Sequence, residues 1–303
     1  MNRPNPIDSE TPPLDQPVAQ AVAQGPRLGP DSLVWKYVGD WRVQLFGFQR
    51  IAITQNAIDE VGQAIEEHSV FFSDFKGRID RTMLAISSVI YAEDAGAWGH
   101  KIRDFHTDVK GSMPDGSRYH ALSPELFYWI HATFVDFTIY TVDTFIRRLS
   151  DAEKEQLYQE SKDWYARYGV TERAQPQTYA EFLEYWDAMT DKLVSNRTVR
   201  YGSGYLRRGL PKPRTVPAPL WPVLSAPLNA YLRTMGVGVM PPQAREVCGL
   251  TWDDKRERRF QRIAAVIRAL NPVINRLPLS VLYVPRAAEA FQRAGTDPRK
   301  IHN

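Results

Sequence analysis

Cysteine and net charge are both scarce in this sequence. Its 303 residues include one cysteine, Cys248, and the formal charge at neutral pH is only +3. One cysteine excludes an internal disulfide and a zinc site built from several thiolates. A charge so close to zero does not indicate a nucleic-acid-binding surface, which normally shows a basic stripe. We therefore predict that nucleic acid is not a partner and that the chain suits a reducing compartment.

Long uninterrupted apolar runs are also missing. The most apolar stretch, residues 126–142, contains His131 and Asp136 and is typical of a buried core helix rather than a membrane span. The first thirty residues contain seven prolines and no apolar core of the kind that a signal peptide needs. We predict a disordered tail over residues 1–30, no transmembrane segment and a cytoplasmic location.

Alternation with period two is absent over any length that would predict a strand, whereas helical periodicity recurs along the chain. The sequence therefore predicts an all-α fold, with one large helical domain over residues 31–303. Six prolines between residues 209 and 227 predict an extended connector inside it. Helices are predicted at about residues 31–37, 42–68, 79–91, 98–110, 124–149, 151–168, 179–193, 223–235, 241–248, 252–270 and 285–294.

Helix starts are marked by capping patterns. Asp31 is a candidate cap, and Ser123 precedes a proline at the first helical position. Capping boxes are predicted where Ser150 and Thr178 are each followed by a glutamate three residues later.

Several catalytic motifs are absent. The chain has no His-Glu-x-x-His helix, no Gly-x-Ser-x-Gly elbow and no glycine-rich phosphate loop. None of its six histidines has a glutamate three residues upstream, so the pairs typical of di-iron bundles are missing. These absences exclude zincins, α/β-hydrolases and di-iron carboxylate enzymes.

Two histidines lie on predicted apolar helices. His106 would share a face with Ile102 and Val109, and His131 would share one with Phe134. Each of them, taken alone, is equally typical of a hydrogen-bonded core histidine. A buried haem needs an imidazole to ligate its iron and guanidinium groups to neutralise its propionates.

A basic turn supplies the guanidinium groups. Arg78, Arg81 and Thr82 stand at i, i+3 and i+4 and so share one helical face near a helix start. They form either a solvated basic turn or an anion clamp, in which two arginines act together with the backbone N–H groups at a helix N-terminus.

The chain resembles the family of latex-clearing rubber oxygenases and of the mycophenolic-acid-pathway oxygenase, most of whose members are bacterial proteins of unknown function. The resemblance spans about residues 29–290 and follows a series of motifs in order. These are Gly29-Pro-Asp-Ser32, Gly39-Asp-Trp-Arg42, Glu67-His-Ser69, Arg78-x-x-Arg81-Thr82, His106-x-x-Val109-x-Gly111, Gly116-x-x-Tyr119-x-Ala121, Ser123-Pro-Glu-Leu126, Trp129-Ile-His-Ala-Thr133 with Asp136, Pro241-Pro-x-x-Arg245 and Gly249-Leu-x-Trp252.

The resemblance implies a globin-like helical core, haem b as cofactor and O2 as co-substrate. It makes His106 the axial iron ligand and places Arg78, Arg81 and Thr82 at the haem. The two arginines would bind propionates or polarise bound oxygen, which makes Arg81 a candidate catalytic residue. Glu67 would be a catalytic base, although Glu66 matches the family glutamate equally well. His68 and His131 would be further pocket groups.

Two positions depart from the family pattern. Arg81 replaces the family lysine, and an arginine cannot practically deprotonate to ligate iron. Ile58-Asp59 stands where many members have His-Pro.

The resemblance implies a haem b-dependent oxygenase that acts on a small apolar, aromatic or prenylated molecule by oxidative cleavage of a C=C bond. A non-catalytic haem- or ligand-binding protein and a haem-free biosynthetic enzyme are the alternatives.

Overall fold

The fold is almost entirely helical, as the sequence predicts. A computed structural model describes residues 28–301, so the prediction of a disordered tail falls outside them except at its last three residues. Leu28 is buried and its carbonyl oxygen accepts a hydrogen bond from Arg167, so ordered structure begins before residue 31.

The described residues form the following elements in chain order: α1 (Leu33–Val38), α2 (Trp41–Thr54), a 3-10 turn (Gln55–Ala57), α3 (Asp59–His68), α4 (Phe75–Tyr91), α5 (Ala95–Phe105), β1 (Lys110–Ser112), β2 (Arg118–His120), α6 (Pro124–Thr141), a π turn (Val142–Ile146), α7 (Asp151–Ala166), α8 (Tyr179–Thr190), α9 (Arg197–Arg208), α10 (Trp221–Gly238), α11 (Pro242–Val247), α12 (Asp254–Ile274), α13 (Leu279–Leu282), α14 (Pro285–Ala294) and a 3-10 turn (Pro298–Lys300).

The capping predictions had mixed outcomes. The box at Ser150 is present, with Glu153 returning the bond, and Thr178 caps α8. The cap of α1 is Ser32 rather than Asp31, because the Ser32 hydroxyl accepts from the backbone N–H of Trp35. Ser123 precedes α6 as predicted, but its hydroxyl makes no capping bond.

The long helix predicted over residues 42–68 is wrong as a single element. The chain is extended at Ile58, with φ −78° and ψ 134°, and this bend separates α2 from α3. Ile58 is buried in the core and Asp59 follows it in the first turn of α3. The departure from the family's His-Pro pair therefore lies at a helix junction.

Other boundaries also differ from the sequence predictions. The proline-rich connector ends at Leu220, because α10 accepts Pro222 in its first turn and contains Pro227. Helix α9 was not predicted, although Asn196 caps it. The short antiparallel pair β1–β2 was also missed, since three-residue strands carry no period-two signal.

Helix α6 lies at the centre of the core. It packs along α2 on one side and against α7 on another. Trp129 and Tyr128 on α6 are completely buried, and the Trp129 ring stacks on Trp186 of α8 at a centroid distance of 5.3 Å. No helix among residues 28–301 is long and apolar enough to cross a membrane.

Candidate functional site

A cavity of about 1240 Å³ opens between α3, α4, α5, α6 and the β1–β2 hairpin. It is larger than the roughly 300–1,000 Å³ of most small-molecule sites. Six of the seven site residues predicted from sequence line it: His68, Arg78, Arg81, Thr82, His106 and His131. The structure thus brings together groups from three helices, α3, α4 and α6, and from the end of α5, and only Glu67 lies outside the lining.

His106 is the first residue past the end of α5, not a residue within it, which corrects the predicted helix of residues 98–110. Its Nδ1 lies 2.7 Å from the carbonyl oxygen of Ile102. A carbonyl oxygen only accepts, so Nδ1 carries the proton and donates, and Nε2 keeps a lone pair. Burial, with the positive charge of Arg78 adding to it, lowers the pKa of His106. The neutral ring is therefore able to ligate a metal.

His131 presents the opposite ring nitrogen. Its Nε2 donates to the carbonyl oxygen of Ser161 on α7 at 3.0 Å, which leaves the lone pair on Nδ1. That Nδ1 is buried and has no hydrogen-bond partner among the described residues. Burial lowers the pKa of His131 to about 3, so the ring is neutral. The ring packs edge-on against Trp164 at 4.8 Å, which fixes its orientation.

The two predicted arginines differ in their partners. Arg81 forms an ion pair with Asp74, the residue that caps α4, at 3.1 Å. The side chain of Arg78 makes no hydrogen bond or ion pair within residues 28–301, and its guanidinium lies over the Phe71 ring at 5.3 Å. Burial, followed by the nearby charge of Arg81, lowers the pKa of Arg78. A cation in this position is suited to bind an anion.

Glu67 acts on the cavity through Tyr119. Its Oε2 accepts a hydrogen bond from the Tyr119 hydroxyl, and its Oε1 accepts one from Gln63 at 2.7 Å. These two bonds, with the nearby His68, lower the pKa of Glu67. The neighbouring Glu66 instead pairs with Arg197. Of the two glutamates that the sequence left open, Glu67 is therefore the one connected to a residue of the cavity lining.

Sequence reasoning missed Glu60. This residue lines the cavity, and its carboxylate has no hydrogen bond or ion pair with another described residue. Its position was readable, because Glu60, Ala64 and His68 stand at i, i+4 and i+8 on one face of α3. Tyr119 also lines the cavity. In the sequence it belongs to one of the family motifs, but no role was predicted for it.

Most of the remaining lining is apolar. The side chains that contribute to it include Ile65, Ile86, Ile102, Phe105, Val109, Leu126, Phe127, Ile130 and Phe134. Within residues 28–301, no group of three or more His, Cys, Asp or Glu side chains is arranged to hold a metal ion.

Residues 35–269 match the family described as ER-bound oxygenase mpaB/B'/Rubber oxygenase, catalytic domain. The chain belongs to this oxygenase family. The match covers the whole cavity lining, from Gln55 to Tyr168.

The chain is also similar to uncharacterized proteins of Mycobacterium bovis and Mycobacterium tuberculosis. Each is 26% identical over 228 residues, which is 73% of this chain and 86% of the relative. No solved structure matches the chain. Membership of the family and the helical fold are thus established.

Proposed function

We propose that this protein is a haem b-dependent oxygenase that works in the cytoplasm with O2 as co-substrate. Its substrate is a small apolar molecule, aromatic or prenylated, and the expected reaction is oxidative cleavage of a C=C bond. The observation that carries the proposal is the ring of His106. Its Nδ1 is held by the Ile102 carbonyl, its Nε2 is left with a lone pair, and the ring lines a cavity of about 1240 Å³.

The residues present fit the chemistry of haem b. This group is a flat apolar ring system that carries two carboxylates and an iron that accepts an imidazole nitrogen. His106 would supply Nε2 to the iron, and the unpaired guanidinium of Arg78 would bind a propionate carboxylate. The apolar lining suits the ring and an apolar substrate beside it. Haem supplies the activation of dioxygen when it is bound.

The protein groups contribute orientation, charge and proton handling. The bond from His106 Nδ1 to Ile102 fixes the tautomer and the direction of the ring. Arg81, held by Asp74, and Thr82 add polar groups to the same wall. His68 and the bare Nδ1 of His131 complete the polar lining as pocket groups.

Two carboxylates have different parts in this proposal. Glu67 holds the hydroxyl of Tyr119 and so positions it, because Glu67 itself does not line the cavity. Glu60 lines the cavity without a partner among the described residues and is the better placed proton acceptor.

A haem titration with an oxygen-consumption assay tests this proposal. Purified full-length protein should bind one haem per chain, give a Soret band of histidine-ligated iron, and then consume O2 with alkene or prenylated substrates. Haem binding without any turnover would identify a non-catalytic haem protein. No saturable haem binding would contradict the proposal and leave a haem-free enzyme. Glu60→Gln should slow turnover and leave the Soret band unchanged, whereas Glu289→Gln, an exposed substitution on α14, should change neither.

A further inference from the structure

Helix α10 exposes an apolar face that nothing in the described chain covers. Val223 is 73% exposed and Leu224 is 57% exposed, and Leu220, Leu228 and Tyr231 are exposed with them. These five residues recur at helical spacing and therefore share one side of the helix. Every exposed side chain between residues 217 and 231 is apolar or aromatic. We call this surface the α10 face.

A second apolar stripe lies on α12, which packs against α10. Val266, Leu270 and Val273 are each exposed by half or more, and Leu277 follows them just beyond the helix. Scattered exposed apolar residues are common on soluble proteins, but contiguous stripes usually mark an interaction surface.

The segments that carry these stripes are predominantly basic, although Asp254 and Glu257 lie in the first turn of α12. Residues 192–245 contain nine Lys or Arg and no Asp or Glu, and residues 258–288 contain six Lys or Arg and no Asp or Glu. The chain as a whole has a charge of only +3, so the rest of it is net acidic. Arg208 ends α9, Arg214 lies in the connector, and Arg233 is exposed on α10 itself.

We infer that the α10 face docks the protein on the surface of an anionic lipid bilayer. An apolar helix face with basic neighbours lies in the interface plane of a membrane, where apolar burial and attraction to anionic headgroups act together. Tyr231 adds an aromatic ring of the kind that favours this boundary. The inference concerns a surface outside the cavity and does not depend on haem.

The charge pattern disfavours other occupants. A two-fold contact between copies would bring the same patch together and place one basic rim against another. A nucleic-acid interface is polar, so phosphates would leave the apolar stripe of α10 without a partner. An anionic bilayer satisfies both the stripe and its basic surroundings.

Vesicle flotation with the full-length protein tests the inference. The protein should float with vesicles of phosphatidylcholine and phosphatidylglycerol, and much less with phosphatidylcholine alone. High salt should weaken the binding, because the attraction of exposed charges is screened. Failure to bind anionic vesicles at low salt would overturn the inference.

Variants separate the α10 face from the rest of the surface. Val223→Glu with Leu224→Glu should weaken vesicle binding by at least about tenfold, because it removes two apolar side chains from the bilayer boundary and places two negative charges beside anionic headgroups. The matched control is Leu45→Glu with Leu183→Glu, two exposed leucines outside the α10 face, which should bind as the parent does. Equal losses in both pairs would contradict the inference.

A charge pair completes the design. Arg208→Gln with Arg214→Gln should weaken binding by roughly tenfold or more, at about 1 kcal/mol per charge. The control Arg118→Gln with Arg173→Gln removes two exposed arginines, on β2 and after α7, and should have little effect. Sedimentation velocity of the parent is run in parallel. A dimer that the Val223→Glu, Leu224→Glu variant dissociates would assign the face to a second copy and overturn the inference.

Discussion

Two arginines show how the interior of this protein differs from its cavity. Arg50, on α2, is buried and makes a two-pronged bond with Asp136 of α6, with Nη2 to Oδ1 at 2.8 Å. It also donates to the carbonyl oxygen of Val239 at 2.9 Å and lies over the Tyr140 ring. The guanidinium of Arg78, beside the cavity, lies over the Phe71 ring and has no hydrogen-bonding partner among residues 28–301. Each guanidinium nitrogen of the first arginine has a partner in the chain, and the second has its hydrogen-bonding groups available.

The comparison shows where the fold keeps binding capacity. A buried charge is tolerated when the chain pairs it, as at Arg50, and this arrangement joins α2 to α6. Unsatisfied groups near a cavity are instead available to a ligand. His131 belongs to both regions, because its Nε2 bonds to Ser161 in the interior while its Nδ1 has no partner in the part of the chain that the structure describes.

The largest expected effect follows from breaking the interior pair. Asp136→Ala should lower the free energy of unfolding by about 3–5 kcal/mol, because it leaves the charge of Arg50 buried without its partner. Denaturant unfolding measures this. Arg50→Met with Asp136→Leu should cost much less than the single change, since no charge remains. The exposed control Arg173→Ala should cost no more than about 1 kcal/mol. If Asp136→Ala and Arg173→Ala lowered the free energy of unfolding equally, the buried ion pair would be no more important for stability than an exposed one.

The next effect concerns pH. Native His131 binds a proton only near pH 3, whereas the unfolded chain binds it near its ordinary pKa of about 6.5. Between these values the unfolded state holds more protons. The stability that the neutral, buried His131 contributes is therefore complete above pH 6.5. It falls by up to about 1.4 kcal/mol per pH unit as the pH drops towards 3.

His131→Gln should flatten this dependence while keeping a donor towards Ser161. Unfolding curves between pH 7 and pH 4 measure the slope. The same substitution at His120, on β2, is the matched control and should leave the slope in place. If His131→Gln left the pH dependence of the unfolding free energy unchanged, the prediction that buried His131 is neutral would be wrong.

The third prediction concerns the cavity arginine. Arg78→Gln should change stability by no more than about 1 kcal/mol, because the interaction that it removes is the one with the Phe71 ring. It should weaken haem binding by roughly tenfold to a hundredfold, because a charge-assisted bond is worth about 1.5–3 kcal/mol. Arg81→Gln should weaken it less, since Asp74 already occupies that guanidinium. Haem titration of both variants measures this difference. An equal loss of haem affinity would mean that the ion pair with Asp74 does not restrain Arg81.

The sequence predicted the helical fold and six of the polar residues that line the cavity. Helical periodicity marked α6 and α7, and Ser150 marked the start of α7 by its hydroxyl. Boundaries were less predictable where local rules compete. The bend at Ile58 comes from a core packing that periodicity cannot show, and α10 tolerates Pro227 although proline disfavours a helix interior.

The sequence predicted several residues of the site but not the hydrogen bonds that they make. Spacing and family resemblance selected His106, Arg78 and His131, whereas hydrogen bonding decides which nitrogen of each ring is free. The pairing of Arg81 with Asp74 and the direction of Glu67 towards Tyr119 depend on rotamers, which the sequence does not reveal. Glu60 was missed because the family motif begins only at Glu67.

A spectrum of the His106→Ala variant with haem tests the central claim most directly. The variant should keep its far-ultraviolet circular dichroism and lose the Soret band of histidine-ligated haem, and added imidazole should restore that band because it replaces the missing ring. His131→Gln, measured alongside, should keep the band. An unchanged Soret band in His106→Ala, together with its loss in His131→Gln, would contradict the assignment of His106 as the iron ligand.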